Sequence, residues 1–523
     1  MRRPAIWQAG VAALALWLVM ILPAAPGGIT PARLVTPEPP LILLLLIATG
    51  PNRVLRALLT MLLLLIAALK LADLSMAEIL GRGFNPIADL ALIDASARMI
   101  AGSLGIWAAI GAAVLCLALA AGMAAILWWA AGVWQRVSVP RRPAFLAAVG
   151  LVALLIPGFL PLKAATTSYA MDKTALALRS VSDLREFRRL AGEDPMAAQT
   201  GLLTGIDRDV LVIFIESYGR TSFDTPFYAK AHLPALREAE EALAEAGLAM
   251  RSGFLTAPTQ GGQSWLSHAT FTSGLWIDDQ SRYQAALASG RQGLFHLARK
   301  AGFRTAAVMP AITRPWPESA RMGFDRVLGA GDLGYRGKPF NWVTMPDQFT
   351  LAATDRLLRD GDNDRPLFAQ VALISSHAPW VPLPQMVDWD QLGDGRIFDA
   401  MADAGPTPKE LWDDYDDVRA QYRASITYVL QAVAGYARLH AANPPLLIVL
   451  GDHQAAARIA LDERREVPIH LIGPRDLVER SRDRGFAPGL IPPPDSAALP
   501  MEGMRDLILQ GFTRGTSTTA LRD

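Results

Sequence analysis
The sequence predicts two parts: an N-terminal α-helical transmembrane domain of about five helices, then an α/β domain with a largely parallel sheet. Three observations carry this reading. Most long apolar runs lie before Lys163; from Asp209 onward, short apolar runs alternate with amphipathic stretches; and three of those runs end in side chains able to hold a metal ion or a phosphate.

The apolar segments fall at 5–24, 39–50, 54–74, 103–133 and 144–162. Most reach the roughly 20 residues that a spanning helix needs, while 39–50 is closer to a re-entrant length. Gly50-Pro51-Asn52 supplies a tight turn, so the second and third segments read as a helical hairpin. With five spans, Arg2, Arg3, Arg53, Arg56, Arg136, Arg141 and Arg142 share one side, against Arg33, Arg82 and Arg98 on the other. The positive-inside rule then puts the N-terminus in the cytoplasm and everything after Lys163 outside it. Arg2-Arg3, an apolar core and Pro23-Ala24-Ala25 also fit a signal peptide, which leaves four spans and the same external C-terminus. Ionisable groups are scarce in the spans, and Lys70 is expected to snorkel from near a helix end, so an anchor is favoured over a transport path. Residues 75–101 read as a surface-lying stretch.

A net charge of +1 gives no case for a nucleic-acid partner, and a single cysteine, Cys116, excludes a disulfide framework. The domains are expected at 1–163 (anchor), 164–207 (helical connector, with Leu176, Leu178, Val181, Leu184 and Phe187 as its seat) and 208–523 (catalytic). Strands are expected at 209–215, 304–309, 367–374, 444–450 and 467–472, and helices at 233–246, 292–301, 346–359 and 415–441.

The first strand delivers Glu216-Ser217, the run 367–374 delivers Ser375-Ser376-His377, and the run ending at Leu450 delivers Gly451-Asp452-His453. Strand C-termini are where open α/β sheets bind ligands, so these side chains are expected on one rim. Gly261-Gly262-Gln263-Ser264 then places a hydroxyl at a helix start, where free N–H groups favour an anion. A serine needs activation to act as a nucleophile; Glu216, Asp452 and His453 around a divalent ion would provide it. The bland alternative for Ser264 is an N-cap. His268, four residues on, shares its helix face and is a candidate for contact with the phosphoryl group or for proton transfer. His470 reads as a core histidine, and His232, His296 and His440 as structural.

These residues resemble the alkaline phosphatase/sulfatase superfamily, within it the membrane-anchored lipoteichoic acid synthases, phosphoglycerol transferases and phosphoethanolamine transferases. The carrying motifs are Ile213-Phe-Ile-Glu-Ser217, Gly261-Gly-Gln-Ser264, Ser376-His-Ala-Pro-Trp380 and Gly451-Asp-His453, in the family's order. The resemblance implies that Glu216, Ser264, Asp452 and His453 ligate a catalytic metal, with one or two divalent ions (Zn or Mn) as cofactor. It further implies that Ser264 is the covalent acceptor, that His377 contacts the transferred phosphate, and that Trp316 lines the substrate pocket; Asp347 resembles an Asp motif near it. The implied activity moves phosphoethanolamine or phosphoglycerol from a membrane phospholipid to an envelope glycan or lipid, at the outer side of the cytoplasmic membrane. Three departures matter. Serine stands for the usual threonine. The Cys/Ser-x-Pro-x-Arg motif of sulfatases proper is missing, which argues against a sulfate ester. Glu318 stands where phosphoglycerol-transferring relatives carry Arg, which favours an ammonium headgroup. A hydrolase using water as acceptor, and a non-catalytic envelope scaffold, are the alternatives.

Overall fold
The computed structural model describes residues 4–25, 36–80, 82–154, 164–361 and 364–514. The chain divides into two compact units, Met1–Arg185 and Glu186–Asp523.

The first unit is helical: α1 (Ile6–Ile21), α2 (Glu38–Thr49), α3 (Arg53–Leu80), α4 (Ala91–Leu104), α5 (Ile106–Trp134), α6 (Arg141–Leu154) and the start of α7 (Ala165–Gly192). Among the described residues, two helices are long and apolar enough to cross a membrane, Arg53–Glu78 within α3 and Ile106–Trp134. Two of the five expected segments are thus helices of spanning length among the described residues. At 16 and 12 residues α1 and α2 are shorter, and α6 has 14. Residues 155–162 of the fifth expected segment, with Arg2, Arg3 and Arg33, lie outside the described residues. The stretch 75–101 is helical at both ends, its turn fixed by Asp89, which pairs with Arg82 and accepts from the Asn85 N–H. Nor does Lys70 snorkel. Its side chain is buried and its Nζ donates at 2.6 Å to the Met20 carbonyl, an oxygen that also accepts from the Thr166 hydroxyl, so the buried ammonium is satisfied inside the unit.

The second unit is built on a nine-stranded sheet: β1 (Val210–Ile215), β2 (Ala249–Thr256), β3 (Arg304–Met309), β4 (Arg326–Gly329), β5 (Leu367–Leu373), β6 (Leu446–Gly451), β7 (Glu466–Gly473), β8 (Ala487–Pro488) and β9 (Ala498–Pro500). The order is β4-β3-β5-β1-β6-β7-β2-β8, with β9 on β2. The first five run parallel, whereas β7 is antiparallel to β6 and β2. The strand expected at 467–472 is thus present with reversed direction, which an apolar run cannot encode. The sequence reading missed β2, since Arg251-Ser252-Gly253 interrupts its apolar pattern. Ser252 is satisfied by the His470 ring and the Gly489 carbonyl, and Arg251 Nη1 donates to the Phe486 carbonyl.

Side chains alternate across the sheet. Leu211, Ile213 and Ile215 face one core with Tyr422, Ile426 and Val429 of α13 and Leu236 of α8, while Val210, Val212 and Phe214 face the other with Phe271, Leu297, Ile508 and Leu509. Here α8 is Pro226–Glu245, α9 Ser264–Ser273, α10 Gln280–Ala288, α11 Leu294–Lys300, α12 Asp347–Thr354, α13 Tyr415–Leu439 and α14 Met504–Gly511. The end of α7 packs on this unit through Phe187 and Ala191, against Leu266, Leu275 and Tyr283, whereas Leu178 and Val181 are exposed rather than part of the expected seat.

Register brings the strand ends level. Ile215 pairs with Leu373 on one side and Gly451 on the other, so Glu216, Ile374 and Asp452 leave the sheet together. Gly451 is required there, because a Cβ would sit 1.8 Å from the Tyr218 carbonyl oxygen. Gly451→Ala is expected to destabilise this unit by about 3 kcal/mol, read as a lowered unfolding midpoint.

Candidate metal centre and nucleophile
The site forms where β1 and β6 end and the loop before α9 folds over them. Gly261 and Gln263 adopt positive φ (75° and 66°), and the Gly261 N–H donates to the Gln454 carbonyl at 2.8 Å. That bond ties the Gly-Gly-Gln turn to the segment carrying His453. Ser264 is the first residue of α9 and Gln263 occupies the N-cap, so the Ser264 hydroxyl is not spent on capping. Instead its Oγ donates to Glu216 Oε2 at 2.9 Å and lies 3.3 Å from His453 Nε2.

Glu216, Asp452 and His453 are all buried, with one ligand atom from each within 4.8 Å of the others. His453 Nε2 is 3.1 Å from Glu216 Oε1 and 3.9 Å from Asp452 Oδ1. The other ring nitrogen, Nδ1, donates to the Gln454 carbonyl at 3.0 Å, which turns the Nε2 lone pair toward the carboxylates, the usual setting of a metal-binding histidine. Ser217, at φ 58°, aims its N–H at Asp452 Oδ1 (2.9 Å), and the His453 N–H adds a second bond at 2.6 Å. The donor set of carboxylates, imidazole and hydroxyl thus fits a divalent cation of the Zn or Mn kind.

Electrostatics follow from burying these charges together. Burial disfavours the Glu216 carboxylate, yet the His453 charge and hydrogen bond, aided by His377 and Ser264, hold it well below the usual range. Burial and the Glu216 charge push Asp452 up. On His453, burial pulls downward, but Asp452 and Glu216 outweigh it and raise the ring to about 9.

The structure places the other predicted residues as follows. His377 is exposed at the end of β5, its N–H donating to the Ile374 carbonyl, and its charge acts on Glu216. Asp347 is wholly buried. Its carboxylate accepts from the Ile374 and Ser375 N–H groups, at 2.6 and 3.0 Å, so it holds the segment that presents His377. Burial, partly offset by those bonds, moves its carboxyl up to about 7. Trp316 packs beside Met309 and Ala372. Both Trp316 and Glu318 act on Tyr283, whose phenol is pushed up to about 12 by burial, then by the Glu318 charge, against the Trp316 side chain. His268 is buried in α9, its ring tilted by 36° against Phe214 with centroids 4.0 Å apart. His470 is a core residue, bonded to Tyr218 and Ser252.

Sequence reasoning missed Ser217, Gln454 and Gln370. Only Gln370 left a signal, as the one polar residue inside Leu367–Leu373.

Residues 208–466 match a family model described as Sulfatase. Solved structures with a similar fold include the lipoteichoic acid synthase LtaP from Listeria monocytogenes (12% identity, 64% of this chain and 79% of that one, TM-score 0.41). The C-terminal periplasmic domain of EcEptC from Escherichia coli is also similar (14%, 58% and 82%, TM-score 0.38). So is the phosphoglycerol transferase GacH of Streptococcus pyogenes (11%, 64% and 92%, TM-score 0.35). No curated protein matches the chain. The domain at 208–466 is thus a member of the Sulfatase family.

Proposed function
We propose that the protein is a membrane-bound, metal-dependent phosphotransferase that moves a substituted phosphoryl group from a phospholipid to an envelope glycan or lipid. One observation carries this: Ser264 Oγ sits at a helix N-terminus, half-buried, within hydrogen-bonding reach of Glu216 and His453. Glu216, Asp452, His453 and Ser264 would hold the ion, which when bound lowers the pKa of the Ser264 hydroxyl and offsets phosphate charge.

In the first half-reaction Ser264 Oγ attacks the phosphorus of the headgroup diester, the bond to diacylglycerol oxygen breaks, and that oxygen takes a proton. In the second, an acceptor hydroxyl attacks phosphorus, the Ser264 ester bond breaks and the serine regains a proton. Free N–H groups at the start of α9 receive phosphate oxygens in both steps. His377, exposed beside the site, is placed to contact the transferred group. The anchor at 1–163, with the spanning-length helices, and the connector at 164–207 suit a donor held in the bilayer; this reading places the catalytic domain outside the cytoplasmic membrane.

The headgroup is assigned to ethanolamine, because the exposed Glu318 carboxylate, whose charge acts on Tyr283, supplies an anion close to Trp316 in the chain that suits an ammonium. Glu318→Gln is expected to lower turnover of phosphatidylethanolamine relative to phosphatidylglycerol by about tenfold; an unchanged ratio removes the ethanolamine assignment. The transfer itself is tested by incubating detergent-solubilised full-length protein with each lipid, a divalent metal and a glycan acceptor. Diacylglycerol with a modified acceptor supports transfer, and free phosphoethanolamine with an unmodified acceptor supports the hydrolase.

A further inference from the structure
A glutamine in the middle of a central parallel strand is an expensive residue to bury without purpose. Gln370 is 3% exposed, and its register partners are Val212 on β1 and Ala307 on β3. It therefore shares the sheet face of Phe214, against which the His268 ring packs. Gln370 Nε2 lies 3.2 Å from His268 Nδ1 and 3.7 Å from Met309 Sδ. An amide NH₂ group can only donate, so Nδ1 is the acceptor and the ring proton resides on Nε2. Burial lowers the ring to about 4, which keeps it neutral in ordinary conditions.

His268 Nε2 is buried and has no hydrogen-bond partner among the described residues. It lies one helical turn after Ser264, on the same face of α9, and feels the charges of Glu216 and His453. The fold has thus left an oriented N–H donor unpaired one helical turn from the nucleophile.

We propose that His268 Nε2–H is a neutral hydrogen-bond donor to an oxygen of the phosphoryl group on Ser264, and that Gln370 is the positioning residue that fixes its tautomer. This rests on Ser264 being the phosphoryl acceptor. A neutral donor suits the position, because it stabilises charge that builds on phosphoryl oxygens without adding a cation that would repel the bound metal.

The test uses full-length, metal-loaded protein turning over phosphatidylethanolamine in detergent. His268→Leu keeps the bulk and removes the donor; kcat is expected to fall on the order of 10²–10³-fold with KM and metal content held. His268→Gln, which restores an amide donor, is expected to recover part of the loss. In Gln370→Glu the carboxylate accepts from Nδ1–H and leaves Nε2 bare, so its kcat relative to wild type should rise as pH falls and the ring takes a second proton. A merely structural role predicts a ratio independent of pH, and that result, or His268→Leu turning over within twofold of wild type, overturns the assignment. If instead wild type forms no phosphoryl adduct at Ser264, the transfer reading fails, a distinct outcome visible in the intact mass before any variant is made.

Discussion
Ser264→Ala is expected to abolish turnover, by 10⁴-fold or more on the order of other lost nucleophiles, and to eliminate a covalent adduct seen in the intact mass of wild-type protein incubated with phospholipid and metal. The size of the effect follows from what the hydroxyl does. Among the described residues its Oγ alone both reaches Glu216 and His453 and stands at the start of α9, so no neighbour can replace it. The adduct mass also distinguishes phosphoethanolamine from phosphoglycerol. Folding should survive, because the removed oxygen is half-buried and not a helix cap. An adduct that persists in Ser264→Ala would move the nucleophile elsewhere and sink the assignment.

The second large effect is on metal binding. Asp452→Asn is expected to weaken divalent-ion affinity by at least about 100-fold, measured by calorimetry on the full-length protein, with turnover falling in step. The substituted amide retains one oxygen to accept from the Ser217 and His453 N–H groups, so the turn is held while the charge is lost. Affinity should also depend on pH with a defined sign. His453 is raised to about 9 in the metal-free protein by Asp452 and Glu216, and a ligating imidazole must be neutral. Binding at pH 7 therefore expels one proton, and affinity should rise about tenfold per unit between pH 7 and 9 and then level off. The slope steepens on the acid side, where Asp452, whose carboxyl is also raised, takes up a proton. An affinity flat from pH 7 to 9 would show that His453 is not a ligand.

Much of the site was legible before the fold. Glu216, Asp452 and His453 follow runs of apolar residues that are buried on both faces, and the parallel strands of an α/β pattern end at the ligand-binding rim. Ser264 was legible from the glycine-rich turn before it. Asp347 was placed near the site by resemblance, but its work is internal: two backbone N–H groups from the end of β5 saturate it. Nothing in Met345-Pro346-Asp347-Gln348 states which way that carboxylate points. Gln370 shows the converse, a visible anomaly whose meaning required the position of His268.

By itself, the sequence determined the order of apolar helical region and α/β domain, the strands that reach the rim and the residue types available for metal and phosphate chemistry. Those properties are local: spacing and hydrophobicity specify which side of an element is buried. Tertiary structure decided what each buried group meets. It reversed β7, buried Lys70 against the Met20 carbonyl, left two helices of spanning length among the described residues, and set His268 over Gln370 with one nitrogen unpaired. Periodicity carries no information on these points, because a buried polar atom is satisfied by whichever partner the packed chain brings within about 3 Å, often from hundreds of residues away.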